Sequence, residues 1–163
     1  MTRLVFDIET DGLAPTQVWV IVTKDIDSGA VTTYVKGQWD AFNKAIKEAG
    51  EVIGHNIIGY DIPACERLLG TDFSGLKITD TLVMSRLANP QRDGHSLAYW
   101  GEQLGYPKGT YEDWTQYTPE MVEYCQQDVS VNEHVYKALV SELDSFGNES
   151  SILEHNVQNI IQK

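Results

Sequence analysis

Basic residues are scarce in this sequence: 12 lysines and arginines stand against 24 aspartates and glutamates, a net charge of −12. A protein that grips nucleic acid through a broad basic face carries the opposite balance. Cysteine is nearly missing as well. Cys65 and Cys125 have a spacing that suggests neither a zinc site nor a disulfide framework, and they read as reduced, partly buried thiols on helices. No apolar run reaches the roughly 18 residues of a membrane span, so no membrane association is expected. Met1-Thr2-Arg3 followed by Leu4-Val5-Phe6-Asp7 offers one basic residue and no long apolar stretch, so a secretory signal is not expected and a cytoplasmic location is. Internal repeats and low-complexity segments are also missing.

What is present fits one ordinary domain. The chain has 163 residues, 42% apolar and 22% charged, which favours a folded core over disorder. The acidity is uneven: from Tyr111 onward ten acids accompany only Lys137 and Lys163, whereas ten basic residues face fourteen acids before that point. Two divalent cations held by carboxylates would offset four negative charges locally. The composition therefore suggests that metal ions, rather than lysines, meet any phosphate, and that DNA affinity is weak when the domain is alone.

Periodicity predicts a mixed α/β fold. Leu4 to Ile8 is apolar at nearly every position, which suits a strand covered on both faces. Val18 to Val22 and Val31 to Val35 read as a hairpin around Asp27-Ser28-Gly29. Trp39, Phe42 and Ile46 mark an amphipathic helix, with Gly50 as its stop. A short strand follows at Glu51 to Gly54, then a helix from Ile62 to Leu69 with Pro63 in its first turn. Lys77 to Thr79 reads as a strand, and Thr81 to Leu87 and Leu97 to Leu104 as helices. The stretch from Gly105 to Gln116 reads as a loop. Thr118-Pro119-Glu120 combines a capping threonine, a proline at the first helical position and an acid at the positive end of the dipole. That helix is expected to run to about Leu143.

Asp7 and Glu9 lie two apart on a strand, so they share a face. Adjacent carboxylates repel unless something positive lies between them, and these close a buried strand at its C-terminal end, where α/β sheets place ligands. Tyr124 and Asp128 lie four apart on one helix face. Asp61 follows Gly59-Tyr60 after a turn, where an aspartate is ordinarily a helix cap.

The ordered set Phe6-Asp7-Ile8-Glu9-Thr10, Asn56-x-x-x-Tyr60-Asp61 and Tyr124-x-x-x-Asp128 resembles the three exonuclease motifs of the DEDD 3′–5′ exonucleases. These belong to the DnaQ-like, ribonuclease H-like superfamily, and the likeness is to their tyrosine-containing branch. Within it, the sequence is similar to the proofreading domain of podophage-type family-A DNA polymerases. Asp80 to Leu87 and His95 to Gly101 also look like that family, and the likeness spans nearly the whole chain. The sibling branch carries histidine five positions before the last aspartate, where this chain has Glu123.

The resemblance implies a ribonuclease H-like fold with a mixed sheet between helices. It also implies hydrolysis of DNA from its 3′ end to nucleoside 5′-monophosphates with two divalent cations, Mg²⁺ or Mn²⁺, ~4 Å apart. Asp7 would bridge both ions, Glu9 and Asp128 would complete one site, and Asp61 would hold the other. Tyr124, with Glu9, would orient the attacking water. A phenol with a pKa near ~10 is a poor general base at neutral pH.

Substrate contacts are expected from Thr10, Leu13 and Asn56. Leu13 reads either as an apolar wedge between the last two bases or as cover for the core. Asn56 either holds the strand or closes a turn. His95 either positions substrate or caps the next helix. Asp80 reads as an N-cap in a supporting role, and His134 as a helix-surface residue. The domain is expected to span 1–148. Residues 149–163, with Ile152, Leu153, Val157, Ile160 and Ile161, would form an amphipathic helix that docks on the domain or meets a DNA polymerase chain or domain. The partner is then a single-stranded or frayed DNA 3′ end, in the host cytoplasm if the chain is phage-encoded. The competing readings are an exoribonuclease or general trimming enzyme of the same superfamily, and a non-catalytic interaction module.

Overall fold

A computed structural model describes residues 1–145. The expected tail helix and the last residues of the expected 1–148 domain lie outside the described residues. The chain opens with an antiparallel meander: β1 (Thr2–Thr10), β2 (Val18–Asp25) and β3 (Val31–Val35). Helix α1 (Trp39–Glu48) carries it back to β4 (Ala49–Gly54), which lies parallel to β1 on its other side. A single π-helical turn (Ile57–Asp61) leads into α2 (Ile62–Leu69). Strand β5 (Lys77–Asp80) then pairs parallel with β4, and α3 (Thr81–Ala88), α4 (Leu97–Leu104) and α5 (Pro119–Asp144) follow. The five-stranded sheet has the order β3-β2-β1-β4-β5. It is the mixed sheet the sequence predicts. No helix among the described residues is long and apolar enough to cross a membrane.

Alternation along β1 divides the molecule. Leu4, Phe6 and Ile8 join Phe42 and Ile46 of α1, Ile62 and Cys65 of α2, and Phe73 in one apolar core. Val5 faces the other way with Val20, Val22 and Ile53, against Met121, Cys125 and Val129 of α5. A third cluster joins α3, α4 and α5 through Met84, Trp100, Val131, Val135 and Leu139. The period of two therefore sends Asp7 and Glu9, two and four residues after Val5, to the α5 side of the sheet.

The starts of α5 and α3 are capped as expected, and Ser96 rather than His95 caps α4. Thr118 accepts from Met121 N at the head of α5, Asp80 from Leu82 N at α3 and Ser96 from Tyr99 N at α4. Two expectations change. Helix α1 ends at Glu48, and Ala49 and Gly50 already belong to β4. Gly50 is thus a strand residue at a close approach, since a Cβ there would lie 2.9 Å from Met1 Cβ. Both cysteines are fully buried rather than partly so.

Candidate metal centre

The parallel register of β4 on β1 ends at Val5, whereas β2 accompanies β1 as far as Thr10. Beyond Val5, the β4 side of β1 thus loses its strand neighbour and leaves backbone donors to be satisfied. The π-turn supplies a partner: Asp61 Oδ2 accepts from Ile8 N at 3.3 Å. Asp61 stands just before α2 but makes no capping bond, so the ordinary reading of an aspartate at this place does not hold. The turn is built for close approach. A Cβ on Gly54 would lie 2.2 Å from Ile57 Cγ2, and Asn56 takes a left-handed φ of 61°. Both oxygens of Asp80 hold the turn, accepting from Asn56 N at 2.9 Å and Ile58 N at 3.1 Å. Asp80 therefore supports the turn as well as capping α3.

Four carboxyls from three elements converge here. Glu9, Asp61 and Asp128 all interact electrostatically with Asp7, which lies central to the group. Glu9, Asp61 and Asp128 are buried, while Asp7 keeps an exposed edge. Burial is the main reason that all four hold their protons more tightly than usual; the Asp7 charge adds to the effect on Glu9, Asp61 and Asp128, whereas Glu9, Lys108 and Asp61 partly offset it at Asp7. Asp7 and Asp61 are raised, Glu9 is pushed up to about 11 and Asp128 to about 8. Like charges this close cannot all ionise without a positive partner.

One oxygen has no such partner. Asp128 is 4% exposed, and its Oδ1 is buried without a hydrogen-bond partner among the described residues. Ligand atoms of Asp7, Glu9 and Cys125 lie within 4.8 Å of one another. Cys125 does not belong in the ligand set. Burial and the surrounding acids push its thiol well above the ordinary value, and the S–H points at Asp7 O, 3.4 Å away. What remains is an all-oxygen set with an orphaned buried oxygen. This set suits a hard divalent cation.

Tyr124 sits one turn before Asp128 on α5. Burial and the Asp128 charge raise its pKa above the usual phenol value, so the hydroxyl keeps its proton. Trp114 packs edge-on to its ring and Tyr111 lies beside it, at centroid distances of 5.6 and 6.0 Å.

The three expected substrate residues border two cavities around the carboxylates. Thr10 and Leu13 line one of about 320 Å³ with Ile8, Glu9, Tyr60 and Trp114. Leu13 is 96% exposed, which removes its reading as cover for the core. Its loop is nonetheless firmly held. Tyr60 donates to Gly12 O at 2.6 Å, and the Asp11 carboxylate accepts from Thr16 N at 2.8 Å. Asn56 lines the second cavity, of about 530 Å³, with Asp7, Arg86, His95 and Asp128. His95 does not cap α4, since Ser96 does. Its Nδ1 meets Ser85 Oγ at 2.7 Å, and its backbone oxygen accepts from His55 Nε2 at 2.8 Å. His134 lies on the outer side of α5, stacked on Tyr106.

Sequence reasoning missed Lys108 and Trp114, and gave Tyr60 of the second motif no role. Lys108 Nζ reaches Asp128 Oδ2 at 3.4 Å and lies 5.3 Å from the centre of the Tyr124 ring. A signal was available, because Lys108 is the only lysine or arginine between Arg92 and Lys137. Tyr60 and Trp114 wall the smaller cavity; Tyr60 stands beside Asp61 in the motif, whereas nothing in the spacing of Trp114 announces it.

No family model matches the chain. It is 29% identical to the DNA-directed DNA polymerase of Enterobacteria phage T3 and 27% identical to that of Escherichia phage T7, in each case across 88% of this chain. It spans 27% of the length of these two curated relatives. Among solved structures, Brucella melitensis NrnC with bound Mg²⁺ superposes with a TM-score of 0.79 at 19% identity, covering 99% of this chain and 81% of that one. The same protein bound to pGG gives a TM-score of 0.77 at 20% identity, covering 99% of this chain and 82% of that one. The fold is ribonuclease H-like, and the likeness to phage polymerases agrees with the family resemblance carried by the motifs.

Proposed function

We propose that this chain is a divalent-metal-dependent 3′–5′ exonuclease that shortens DNA one nucleotide at a time. The observation that carries this reading is the convergence of Asp7, Glu9, Asp61 and Asp128, with one buried oxygen of Asp128 left unpartnered. Asp7, Glu9, Asp61 and Asp128 would hold the ions, with Asp7 central among them. Mg²⁺ or Mn²⁺ bound there would neutralise the carboxylates, polarise the phosphate and acidify water.

The protein's own groups do the positioning. Tyr124 keeps its proton and offers a hydrogen bond that, with Glu9, orients the attacking water. The cavity lined by Thr10, Leu13, Tyr60 and Trp114 takes the terminal base, with Leu13 as the wedge. Asn56 steadies the strand from the other cavity. The likeness to phage DNA polymerases supports DNA as substrate and proofreading as the role, with a polymerase chain or domain as partner. A second reading, an exoribonuclease or general trimming enzyme, draws on the fold shared with NrnC, a protein solved bound to pGG.

Matched 5′-labelled DNA and RNA oligonucleotides, incubated with Mn²⁺, test both. The expected result is a ladder shortened from the 3′ end, faster on DNA, with nucleoside 5′-monophosphates released and no reaction in EDTA. Faster cleavage of RNA would replace the first reading by the second. Undiminished activity of the Asp7→Ala, Glu9→Ala double variant would remove the site assignment.

A further inference from the structure

Lys108 lies in the segment 105–118, which forms neither helix nor strand beyond Gly105, yet its backbone is pinned on both sides. Upstream, Tyr106 stacks on His134 of α5 at 3.7 Å between centroids, and Gln127 Nε2 donates to Pro107 O at 3.0 Å. Gly101 of α4 permits this approach, since a Cβ there would lie 2.7 Å from Tyr106 O. Downstream, the Tyr111 hydroxyl bonds Thr118, and Trp19 Nε1 donates to Trp114 O at 3.0 Å. Between these anchors the Lys108 ammonium lies over the Tyr124 ring, 5.3 Å from its centre, and 3.4 Å from Asp128 Oδ2. Burial opposes its charge, but Asp128, Tyr124 and Asp7 outweigh that and hold its pKa above the usual lysine value.

The ammonium thus occupies one oxygen of a carboxylate whose other oxygen is bare. A divalent cation drawn to the same carboxylate meets a fixed positive charge. The ammonium also borders the larger cavity, with Arg86 on the same wall. An anion entering that cavity would give it a second partner. Lysine suits such a transfer, being a compact charge on a flexible stem.

We propose that Lys108 is a positioning residue that serves as the resident counter-charge of Asp128. It competes with the divalent cation for that carboxylate and releases it when a phosphate anion arrives. Metal binding and substrate binding are then linked, and by reciprocity each tightens the other. This rests on the metal-site reading above and extends it.

The test is Mn²⁺ affinity of the full chain, read by electron paramagnetic resonance without nucleic acid, for wild type, Lys108→Met and Lys108→Arg. Methionine keeps the length and removes the charge. Loss of a positive charge ~4 Å away in a half-buried site is expected to tighten Mn²⁺ on the order of tenfold. Adding a deoxynucleoside 5′-monophosphate should tighten Mn²⁺ in wild type and in Lys108→Arg, and much less in Lys108→Met. Equal or weaker Mn²⁺ binding in a normally folded Lys108→Met overturns the proposal, as does weaker nucleotide binding with unchanged metal affinity, which would make Lys108 a plain phosphate contact. If wild type itself binds no Mn²⁺, the metal-site reading fails first, so the two failures are distinguishable.

Discussion

The two faces of β1 carry opposite chemistry on alternating residues. Leu4, Phe6 and Ile8 enter an apolar core closed by α1 and α2. On the other face, Val5 packs under α5, and Asp7 and Glu9 follow it into a buried cluster of like charge. One face lowers the free energy of the folded chain. The other raises it in the absence of a cation, because four carboxyls are held where they resist ionisation. The contrast teaches that a buried strand can serve as a scaffold on one side and as a strained ligand set on the other, with no change of backbone.

The largest expected effect comes from the charged face. Asp7→Ala should lower turnover in steady-state hydrolysis by a factor on the order of a thousand or more, since it removes the central residue of the proposed metal site, while a thermal melt shows a fully folded protein. Its neighbour should behave in the reverse way. Phe6→Ala should cost about 3–5 kcal/mol of stability by denaturant titration, the usual range for a buried phenylalanine. Phe6 packs on Phe42 and Phe73, and activity should fall only as far as the folded fraction does. If Asp7→Ala destabilises as much as Phe6→Ala, the division between the faces is wrong.

Dependence on pH sharpens the contrast. The folded protein holds protons on Asp7, Glu9, Asp61 and Asp128 that the unfolded chain releases near ~4. Metal-free stability from these groups is therefore greatest below that range. It is lost as pH rises through the ordinary carboxylate value toward about 8, where Asp128 ionises, and on toward about 11 for Glu9. Asp128→Asn should melt above wild type at pH 8 without metal, and the gap should close toward pH 4. A gap that widens on acidification would reverse the assigned sign.

Tyr124→Phe should reduce kcat by roughly ten- to a hundredfold, the scale of a positioned water contact, with no new ionisation in the pH–rate profile. The smallest effect belongs to Leu13→Ala. At 96% exposure, its stability should stay within about 0.5 kcal/mol of wild type, while KM for a single strand rises a few-fold.

Much of this was legible in the sequence because the signals are local. The continuous apolarity around Asp7 and Glu9 predicted a strand covered on both sides, and Thr118-Pro119-Glu120 predicted the start of α5. Spacing alone put Tyr124 and Asp128 on one helix face. Asp61 was harder to read, because an aspartate before a helix looks like a cap. Its real bond, to Ile8 N, spans 53 residues and depends on β4 stopping short along β1. The π-turn is not encoded by local propensity, although asparagine is one of the few residues that tolerates the left-handed φ found at Asn56. Lys108 was missed for a similar reason. Its ion pair with Asp128 is created by two anchors, Tyr106 on His134 and Trp114 on Trp19, that only the packed chain brings together.

The most direct measurement is the melting temperature at pH 8 of wild type and of the Asp7→Asn, Glu9→Gln double variant, each with and without Mn²⁺. Without metal, the double variant should melt higher than wild type, because two carboxyls that the fold keeps from ionising at this pH are gone. Saturating Mn²⁺ should raise wild type by several degrees, as a ligand specific to the folded state does, and leave the double variant unmoved. Equal shifts in both proteins, or no shift in wild type, would contradict the account of this face of β1 as a metal site.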